Sequence, residues 1–402
     1  MKNIFLLIIL LTLYSCATET TTLKEGAWRA SLDVKDGKEL PFTMEVVGAK
    51  KIIIYNADEV IEVTDIHMEG DSITIQAPVF EGIFKGVFTE ERISGDFIKP
   101  SLDRVVPFEM TFGNADRFSN SPASLENVDG NWETVFSPNS EEDRYIAKGS
   151  FTQKDGKVTG TFRTTTGDYR YLEGVVNGDS LKLSTFDGAH AFLFEAKVAD
   201  SVMNGVFYSG NHWEEPFVAK RNEAYTLPDE NTLTYLKEGY DKFEFSFPDT
   251  EGTLVSLEDE QFQNKVVVVQ IMGTWCPNCL DETKYYTKYY NEQKTDDVAF
   301  VSLAFEYAPT IERAIASINR LKNAVGVPYP ILLAQYGTSD KYVANKKLPM
   351  LNHVLSYPTT IFIDKKGSVR KIHTGFNGPA TGAKYTAFTK EFEAFLTQLS
   401  AE

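Results

Sequence analysis

Apolar and polar residues alternate along most of the amino-terminal half of the chain. The segments 72–76, 160–163 and 180–184 change from one type to the other at almost every residue, and glycine separates many such runs. A period of two, with a turn about every 8 to 12 residues, is typical of antiparallel strands with one buried face. Residues 26–221 contain no long run with helical spacing. We therefore predict an all-β region there.

This β-rich region contains an internal repeat. The matching sequences are Gly26-Ala27-Trp28 with Gly130-Asn131-Trp132, Gly70-Asp71-Ser72 with Gly178-Asp179-Ser180, and Pro107-Phe108 with Pro216-Phe217. Two copies of a unit of roughly 90 residues explain these matches. We predict two antiparallel all-β modules, each a sandwich or a barrel, at residues 26–113 and 130–222. Residues 114–129, which are rich in Ser, Asn and Pro, form the predicted linker between them.

The aromatic residues of the modules leave two interpretations open. Trp28, Trp132 and Trp213 are candidates for a ligand-binding surface, but aromatic residues at strand spacing pack in a core more often. We favour modules that serve as spacers or as a docking platform. The sequence does not identify a ligand for them.

Strands and helices alternate in the carboxyl-terminal region, residues 234–402. The predicted elements are a hairpin at 243–247 and 253–255, strands at 266–272, 298–305 and 331–333, helices from 277, at 311–325 and at 383–399, and a hairpin at 359–363 and 368–372. The strands at 266–272 and 298–305 are almost continuously apolar, as in parallel strands that are buried on both faces. This order predicts a mixed α/β sheet with helices on both faces. The whole chain is therefore predicted to be multidomain.

Composition excludes one class of function. The chain has 402 residues, enough for two or three domains, and its apolar content of 42% is that of globular proteins. The net charge of -17 argues against a nucleic-acid partner, because phosphate contacts need a basic surface.

The amino terminus resembles a secretory signal. Lys2 precedes an apolar run at residues 4–13, which is too short to span a bilayer but fits a signal peptide. The run ends in Leu13-Tyr14-Ser15-Cys16, which resembles a bacterial lipobox. We predict a signal peptide at 1–15, a lipidated Cys16 and a tether at 16–25, and hence a periplasmic or outer-membrane lipoprotein of the cell envelope. An ordinary signal with an unmodified cysteine is the alternative.

Two cysteines form the candidate redox centre. Cys276 and Cys279 lie between the strand 266–272 and a helix that is predicted to begin at Pro277, where a missing N–H costs nothing. The helix amino terminus favours the thiolate of Cys276, which we expect to be an exposed nucleophile. Cys16 is the only other cysteine, so no second cysteine pair exists to complete a zinc site. We predict no metal and no cofactor.

The sequence Trp275-Cys276-Pro277-Asn278-Cys279, with Tyr357-Pro358-Thr359-Thr360 opening the final hairpin, resembles the thioredoxin fold. The hairpin before the motif, and Glu282 after it, make residues 234–402 similar to the TlpA/ResA group of membrane-tethered thiol-disulfide oxidoreductases. This resemblance implies that Cys276 forms a mixed disulfide with a partner and that Cys279 resolves it. It further implies that Trp275 shields the pair and that Pro358 is cis beside it. An ordinary trans proline is the alternative.

Glu282 is the predicted proton acceptor. Thioredoxins of the cytosol carry a buried Asp six residues before the first cysteine, where this chain has Gln270. Glu282 lies about one helical turn beyond Cys279, and the resemblance offers it as the substitute base. A surface glutamate paired with lysine is the alternative. Glu306, at the end of the strand 298–305, is a secondary candidate that is expected to rim the site.

The leading hypothesis is a lipid-anchored disulfide reductase that acts on envelope thiol and disulfide proteins. By analogy with the family, a membrane electron donor would recharge it. The segment 336–351 is a predicted helix-loop insertion near the site that would influence partner choice. Two alternatives stay open: a binding lipoprotein that works through its β modules, and a peroxiredoxin-like peroxidase. The peroxidase is disfavoured because Val269 and Gly273 stand where it needs Pro and Thr.

Overall fold

The computed structural model describes residues 22–48, 50–118, 123–293 and 296–402. The predicted signal peptide and the predicted lipidation site Cys16 lie outside these residues. Within the described part of the chain, no helix has the length and apolar character needed to cross a membrane.

The first β module is an antiparallel sheet of nine strands. Its strands are β1 (Gly26–Asp33), β2 (Glu39–Val46), β3 (Ile52–Asn56), β4 (Glu59–Val63), β5 (Ile66–Glu69), β6 (Ser72–Gln76), β7 (Ile83–Phe88), β8 (Arg92–Lys99) and β9 (Arg104–Phe112). They lie side by side in the order β4-β3-β2-β1-β9-β8-β7-β6-β5. The two edges of the sheet are therefore β4 and β5, which follow each other in the chain.

The second β module is a closed antiparallel barrel of eight strands. Its strands are β10 (Gly130–Phe136), β11 (Tyr145–Lys154), β12 (Lys157–Thr164), β13 (Leu172–Asn177), β14 (Ser180–Phe186), β15 (Ala191–Ala199), β16 (Val202–Ser209) and β17 (Trp213–Arg221). Pairing of β10 with both β11 and β17 closes the barrel. The prediction of two antiparallel all-β modules is confirmed.

The two modules share an internal signature at their matching tryptophans. Trp28 and Trp132 are fully buried, and each indole N–H donates to the backbone carbonyl four residues earlier, Lys24 and Val128, at 2.9 Å. Both rings therefore belong to cores, whereas Trp213 is exposed. The barrel is closed because β13 pairs with both β12 and β14. In the first module the corresponding segment forms two strands, β4, which pairs with β3, and β5, which pairs with β6, and the sheet is open between them. The exact limits of the predicted domains stay predictions.

The carboxyl-terminal region is a thioredoxin-like α/β domain. Its elements are β18 (Ser246–Pro248), β19 (Leu254–Ser256), β20 (Val266–Met272), α1 (Pro277–Gln293), β21 (Val298–Phe305), α2 (Ile311–Val325), β22 (Ile331–Gln335), α3 (Lys341–Lys347), β23 (Thr359–Ile363), β24 (Val369–Thr374) and α4 (Ala383–Ala401). The main sheet has the order β22-β21-β20-β23-β24. Because β20 is parallel to β21 and antiparallel to β23, the predicted mixed sheet is confirmed.

The central position of β20 follows from its sequence. All seven of its residues are buried, as its continuous apolar run predicts for a strand covered on both faces. The hairpin before it is shorter than predicted, because Phe243 and Phe245 pack into the core instead of extending the ladder. Of the predicted insertion 336–351, only α3 is helical.

Candidate active site

The dithiol lies where β20 ends and α1 begins. The backbone N–H of Cys276 donates to the carbonyl of Gly273 at 3.1 Å, which tightens the turn before Pro277. The backbone N–H of Cys279 then donates to the Cys276 sulfur at 3.3 Å. Both cysteines are free thiols. An N–H donor of this kind stabilises a thiolate, so the local geometry suits Cys276 as the nucleophile.

Pro358 lies beside the Cys276 sulfur. The Tyr357–Pro358 peptide bond is cis, as the resemblance implies. The Cys276 thiol donates to the carbonyl of Tyr357 at 3.3 Å. Because β23 pairs with β20 in register Ile271 with Thr359, the chain before β23 is brought next to the dithiol.

Trp275 forms one wall of the site. Its indole N–H donates to the carbonyl of Phe305 at 3.0 Å, and its ring lies 5.5 Å from the rings of both Tyr307 and Tyr357. These contacts fix a half-buried ring next to Cys276. The predicted shielding role stays a prediction, but the ring is placed where such a role requires it.

Glu282 is fully buried behind Cys279, and the alternative of a surface ion pair is wrong. Its carboxylate accepts hydrogen bonds from Gln270 Nε2 at 2.8 Å, Thr360 Oγ1 at 2.9 Å and the Tyr286 hydroxyl at 3.0 Å. Burial raises the pKa of Glu282 to about 7, although these three donors act in the opposite direction. The group can therefore take up or release a proton near neutral pH.

Cys279 is equally buried, with no exposed surface. Burial raises the pKa of its thiol well above the ordinary value, and the Cys276 sulfur and the charge of Glu282 raise it further. The resolving thiol therefore needs help to lose its proton. Glu282 is the carboxyl group close enough to influence that ionisation.

Glu306 is buried at the end of β21, on the other side of the motif. It is 2% exposed, and it accepts hydrogen bonds from the Thr274 backbone N–H at 2.8 Å and from the Thr274 hydroxyl at 2.6 Å. Burial raises the pKa of Glu306 to about 7. Instead of rimming an open site, it holds the turn that leads to Trp275 and Cys276.

Comparison with known proteins agrees with this geometry. The Redoxin family model matches residues 238–387. The thioredoxin-like protein YneN of Bacillus subtilis is 29% identical over 140 residues, which cover 35% of this chain and 73% of that protein. The thiol-disulfide oxidoreductase ResA of Halalkalibacterium halodurans is 29% identical over 134 residues, 33% of this chain and 65% of that protein. The chain thus spans slightly less than two thirds of that ResA.

The carboxyl-terminal region is a TlpA/ResA-like domain of the thioredoxin superfamily. It is a thiol-disulfide oxidoreductase domain of the thioredoxin type. Among solved structures, a thiol-disulfide oxidoreductase from Bacteroides fragilis covers 37% of this chain and 99% of its own, with 18% identity and a TM-score of 0.28. The matched residues 238–387 do not include the two β modules.

One expectation about this TlpA/ResA-like site is wrong. Cys276 was expected to be an exposed thiol, but its residue is only 8% exposed. A barrel loop at residues 165–171, which sequence reasoning did not connect with the site, lies next to it and contacts Asn278 and Ser356. The partners Tyr286, Thr360 and Thr274 were also missed. A tyrosine at i+4 from Glu282 on one helix face was a usable signal for the first of them.

Proposed function

We propose that the chain is a membrane-tethered thiol-disulfide reductase that acts on envelope proteins through Cys276 and Cys279. The arrangement around the Cys276 sulfur is the main support. The sulfur accepts the Cys279 N–H at 3.3 Å and faces the Tyr357 carbonyl beside cis Pro358. The nucleophile, the resolving thiol and a backbone segment next to the reacting atom are thus in one place.

The proposed reaction moves two electrons from the dithiol to a substrate disulfide. The Cys276 thiolate attacks one substrate sulfur, forms a mixed disulfide and releases the other substrate sulfur as a thiolate. The Cys279 thiolate then attacks the Cys276 sulfur, releases the second substrate sulfur as a thiolate and leaves the Cys276–Cys279 disulfide. A dithiol donor must reduce that disulfide before the next turnover.

Glu282 supplies the proton acceptor in this proposal. Its pKa of about 7 lets the carboxylate accept the proton of Cys279 near neutral pH. The three donors around it are uncharged, so none of them holds it permanently ionised. Glu282 is thus placed to help the thiol whose own ionisation burial opposes.

The location and partners rest on the sequence and on the relatives. A signal-like segment that ends at Cys16 supports a lipoprotein of the cell envelope, in the periplasm or at the outer membrane. The matched ResA proteins are named thiol-disulfide oxidoreductases. By resemblance to that group, we propose envelope thiol and disulfide proteins as substrates and a membrane electron donor as the source of electrons.

Insulin reduction by the full chain in detergent tests the proposal. We expect turnover with dithiothreitol as electron donor, its complete loss in Cys276→Ser, and a trapped mixed disulfide in Cys279→Ser. Cys16→Ser is the matched control, because it should keep the activity while leaving the membrane fraction of cells. A reduction potential of about -270 mV or below would mark a reductant, whereas about -120 mV would mark an oxidant and overturn the proposed direction.

A further inference from the structure

A loop of the barrel lies directly on the dithiol face of the thioredoxin domain. The loop spans residues 165–171, between β12 and β13. The carbonyl of Thr166 accepts the Ser356 hydroxyl at 2.8 Å, two residues before Pro358. On the far side of Pro358, a Cβ added to Gly375 would lie 2.6 Å from the Thr166 carbonyl carbon. Thr166 therefore contacts the backbone just before β23 and just after β24, at one end of this hairpin.

The same loop covers the turn between the two cysteines. Asn278 donates its side-chain N–H to the carbonyl of Asp168 at 3.1 Å. Gly167 approaches so closely that an added Cβ would lie 2.2 Å from Asn278 Nδ2, at a φ of +146° that favours glycine. Only a residue without a side chain allows this approach.

Asp168 fastens the loop to the thioredoxin domain. One carboxylate oxygen accepts the backbone N–H of Gly378 at 2.6 Å, and the other accepts the backbone N–H of Arg170 at 2.7 Å. The side chain is buried, so water does not replace these bonds in the closed arrangement. The link joins a barrel loop to the segment that follows β24.

Arg170 extends the contact to three domains at once. Its guanidinium is buried and pairs with Asp281 on α1, with Glu59 at the start of β4 and with Asp187 of the barrel. It also donates to the carbonyl of Pro277 at 3.4 Å, inside the redox motif. A buried cation shared by three carboxylates ties both β modules to the helix that carries the dithiol.

The first module closes the site from the side of Trp275. Phe80, in the connection between β6 and β7, is buried in the core of the thioredoxin domain. The neighbouring Glu81 accepts the Tyr307 hydroxyl at 3.1 Å, and Tyr307 in turn packs on Trp275. The two β modules thus contact the surroundings of the redox motif on two sides, at Asn278 and at Tyr307.

The internal repeat shows that the barrel loop stands where the first module has a strand. The segment 165–179 joins β12 to β14, and the segment 57–71, which has the same length, joins β3 to β6. The first module forms β4 and β5 from this segment. The barrel forms only β13, and the residues before β13 are those that lie on the redox motif.

We infer that residues 166–168 occupy the groove beside Cys276 and Pro358 in which a protein substrate has to lie, so that the substrate must displace this loop before exchange. The inference rests on the proposed function. The partner that fits is an extended protein segment, which replaces the backbone contacts of Thr166 and Asp168 with its own. A small disulfide needs less of the groove, so its access depends less on the position of the loop.

Two loop variants of the full chain in detergent test this inference. Gly167→Val forces a side chain against Asn278, and Asp168→Ala removes the bond to Gly378. Lys157→Val, at the exposed far end of β12, is the matched control. Both loop variants should raise kcat/KM for insulin at least about fivefold, because they raise the open fraction. For hydroxyethyl disulfide, we expect kcat/KM to change less than about twofold, because this small substrate occupies little of the groove.

Hydrogen exchange separates the failure of this inference from failure of the proposed function. The Gly378 amide should exchange faster in both loop variants and not in the control, whatever the enzymatic activity. If wild-type protein reduces neither substrate, the proposed function fails and the exchange result alone decides the position of the loop. Unchanged exchange overturns the inference. Unchanged or lower insulin turnover with intact turnover of hydroxyethyl disulfide overturns it too.

Discussion

Two buried glutamates on different sides of the dithiol have the same raised pKa but different surroundings. Burial raises the pKa of Glu282, on α1 beyond Cys279, and of Glu306, after β21, to about 7. The donors to Glu282 come from three residues on three elements. Both donors to Glu306 come from Thr274. The same titration therefore has different consequences at the two positions.

This difference in hydrogen-bond donors predicts different roles for the two carboxyl groups. Ionisation of Glu282 affects its three hydrogen-bond donors, Gln270, Tyr286 and Thr360, and it acts electrostatically on the Cys279 thiol. A change in the charge of Glu306 acts on one residue, which directly precedes the tryptophan of the motif. We therefore expect Glu282 to handle the proton of Cys279 and Glu306 to position the turn.

The largest effect that we expect from Glu282 and Glu306 together is on the free energy of unfolding. Each carboxyl group binds its proton more tightly in the folded state than in the unfolded chain. Protonation therefore stabilises the folded state, and this stabilisation is complete below pH about 4.5 and is lost as the pH rises through about 7. A rise of the pKa from 4.5 to about 7 corresponds to up to about 3 kcal/mol for each group. Urea denaturation of the thioredoxin domain, followed in the full chain at pH 5 and pH 8, should show this loss.

The double variant Glu282→Gln/Glu306→Gln sharpens this prediction, because amide side chains do not titrate. Its denaturation midpoint should change much less between the two pH values than that of the wild type. The single variants should each remove part of the difference. An equal pH dependence in the wild type and the double variant would contradict the raised pKa values.

The second largest expected effect is on the reactivity of Cys279, and it distinguishes Glu282 from Glu306. Glu282→Gln removes a charge that raises the pKa of Cys279, so Cys279 should be alkylated at lower pH in a Cys276→Ser background. It also removes the proton acceptor, so resolution of a Cys276 mixed disulfide with thionitrobenzoate should slow by about 10²-fold. Mass spectrometry of the Cys279 peptide and thionitrobenzoate release measure the two effects.

Glu306→Gln is the matched control for this experiment, since it removes a carboxyl group of similar pKa that does not contact the resolving thiol. It should leave the alkylation profile of Cys279 unchanged. If Glu282 acted only through its charge, Glu282→Gln would speed resolution instead of slowing it. An unchanged pH dependence of Cys279 alkylation would reject its role as the base.

The sequence predicted the elements of the thioredoxin domain better than their surroundings. The apolar run of β20 stops at Gly273 and α1 begins at Pro277, so local chemistry marks both boundaries. The position of Glu282 one turn beyond Cys279 follows from helix geometry alone. Its burial does not, because it depends on the sheet residues Gln270 and Thr360, which contact it across the fold.

The interdomain contacts could not be predicted from local patterns. Asp168 and Gly378 are 210 residues apart in sequence, and neither belongs to a periodic apolar run. The expectation of an exposed Cys276 is wrong for this chain, in which the residue is only 8% exposed. Glu306 is an intermediate case, since the end of a strand suggested its neighbourhood, but only the fold shows that Thr274 is its partner.

The smallest expected effect tests the positioning role of Glu306. Thr274→Val removes the hydroxyl donor at 2.6 Å and keeps the backbone N–H donor. A hydrogen bond to an ionised acceptor is stronger than one to a neutral acceptor, so the cost should be about 1 to 2 kcal/mol at pH 8 and smaller at pH 5. Thr374→Val is the matched control, because the buried Thr374 hydroxyl donates to the uncharged hydroxyl of Thr234. Its cost, measured by urea denaturation, should be the same at both pH values. An equal cost at both pH values for Thr274→Val would mean that the charge of Glu306 does not hold the turn.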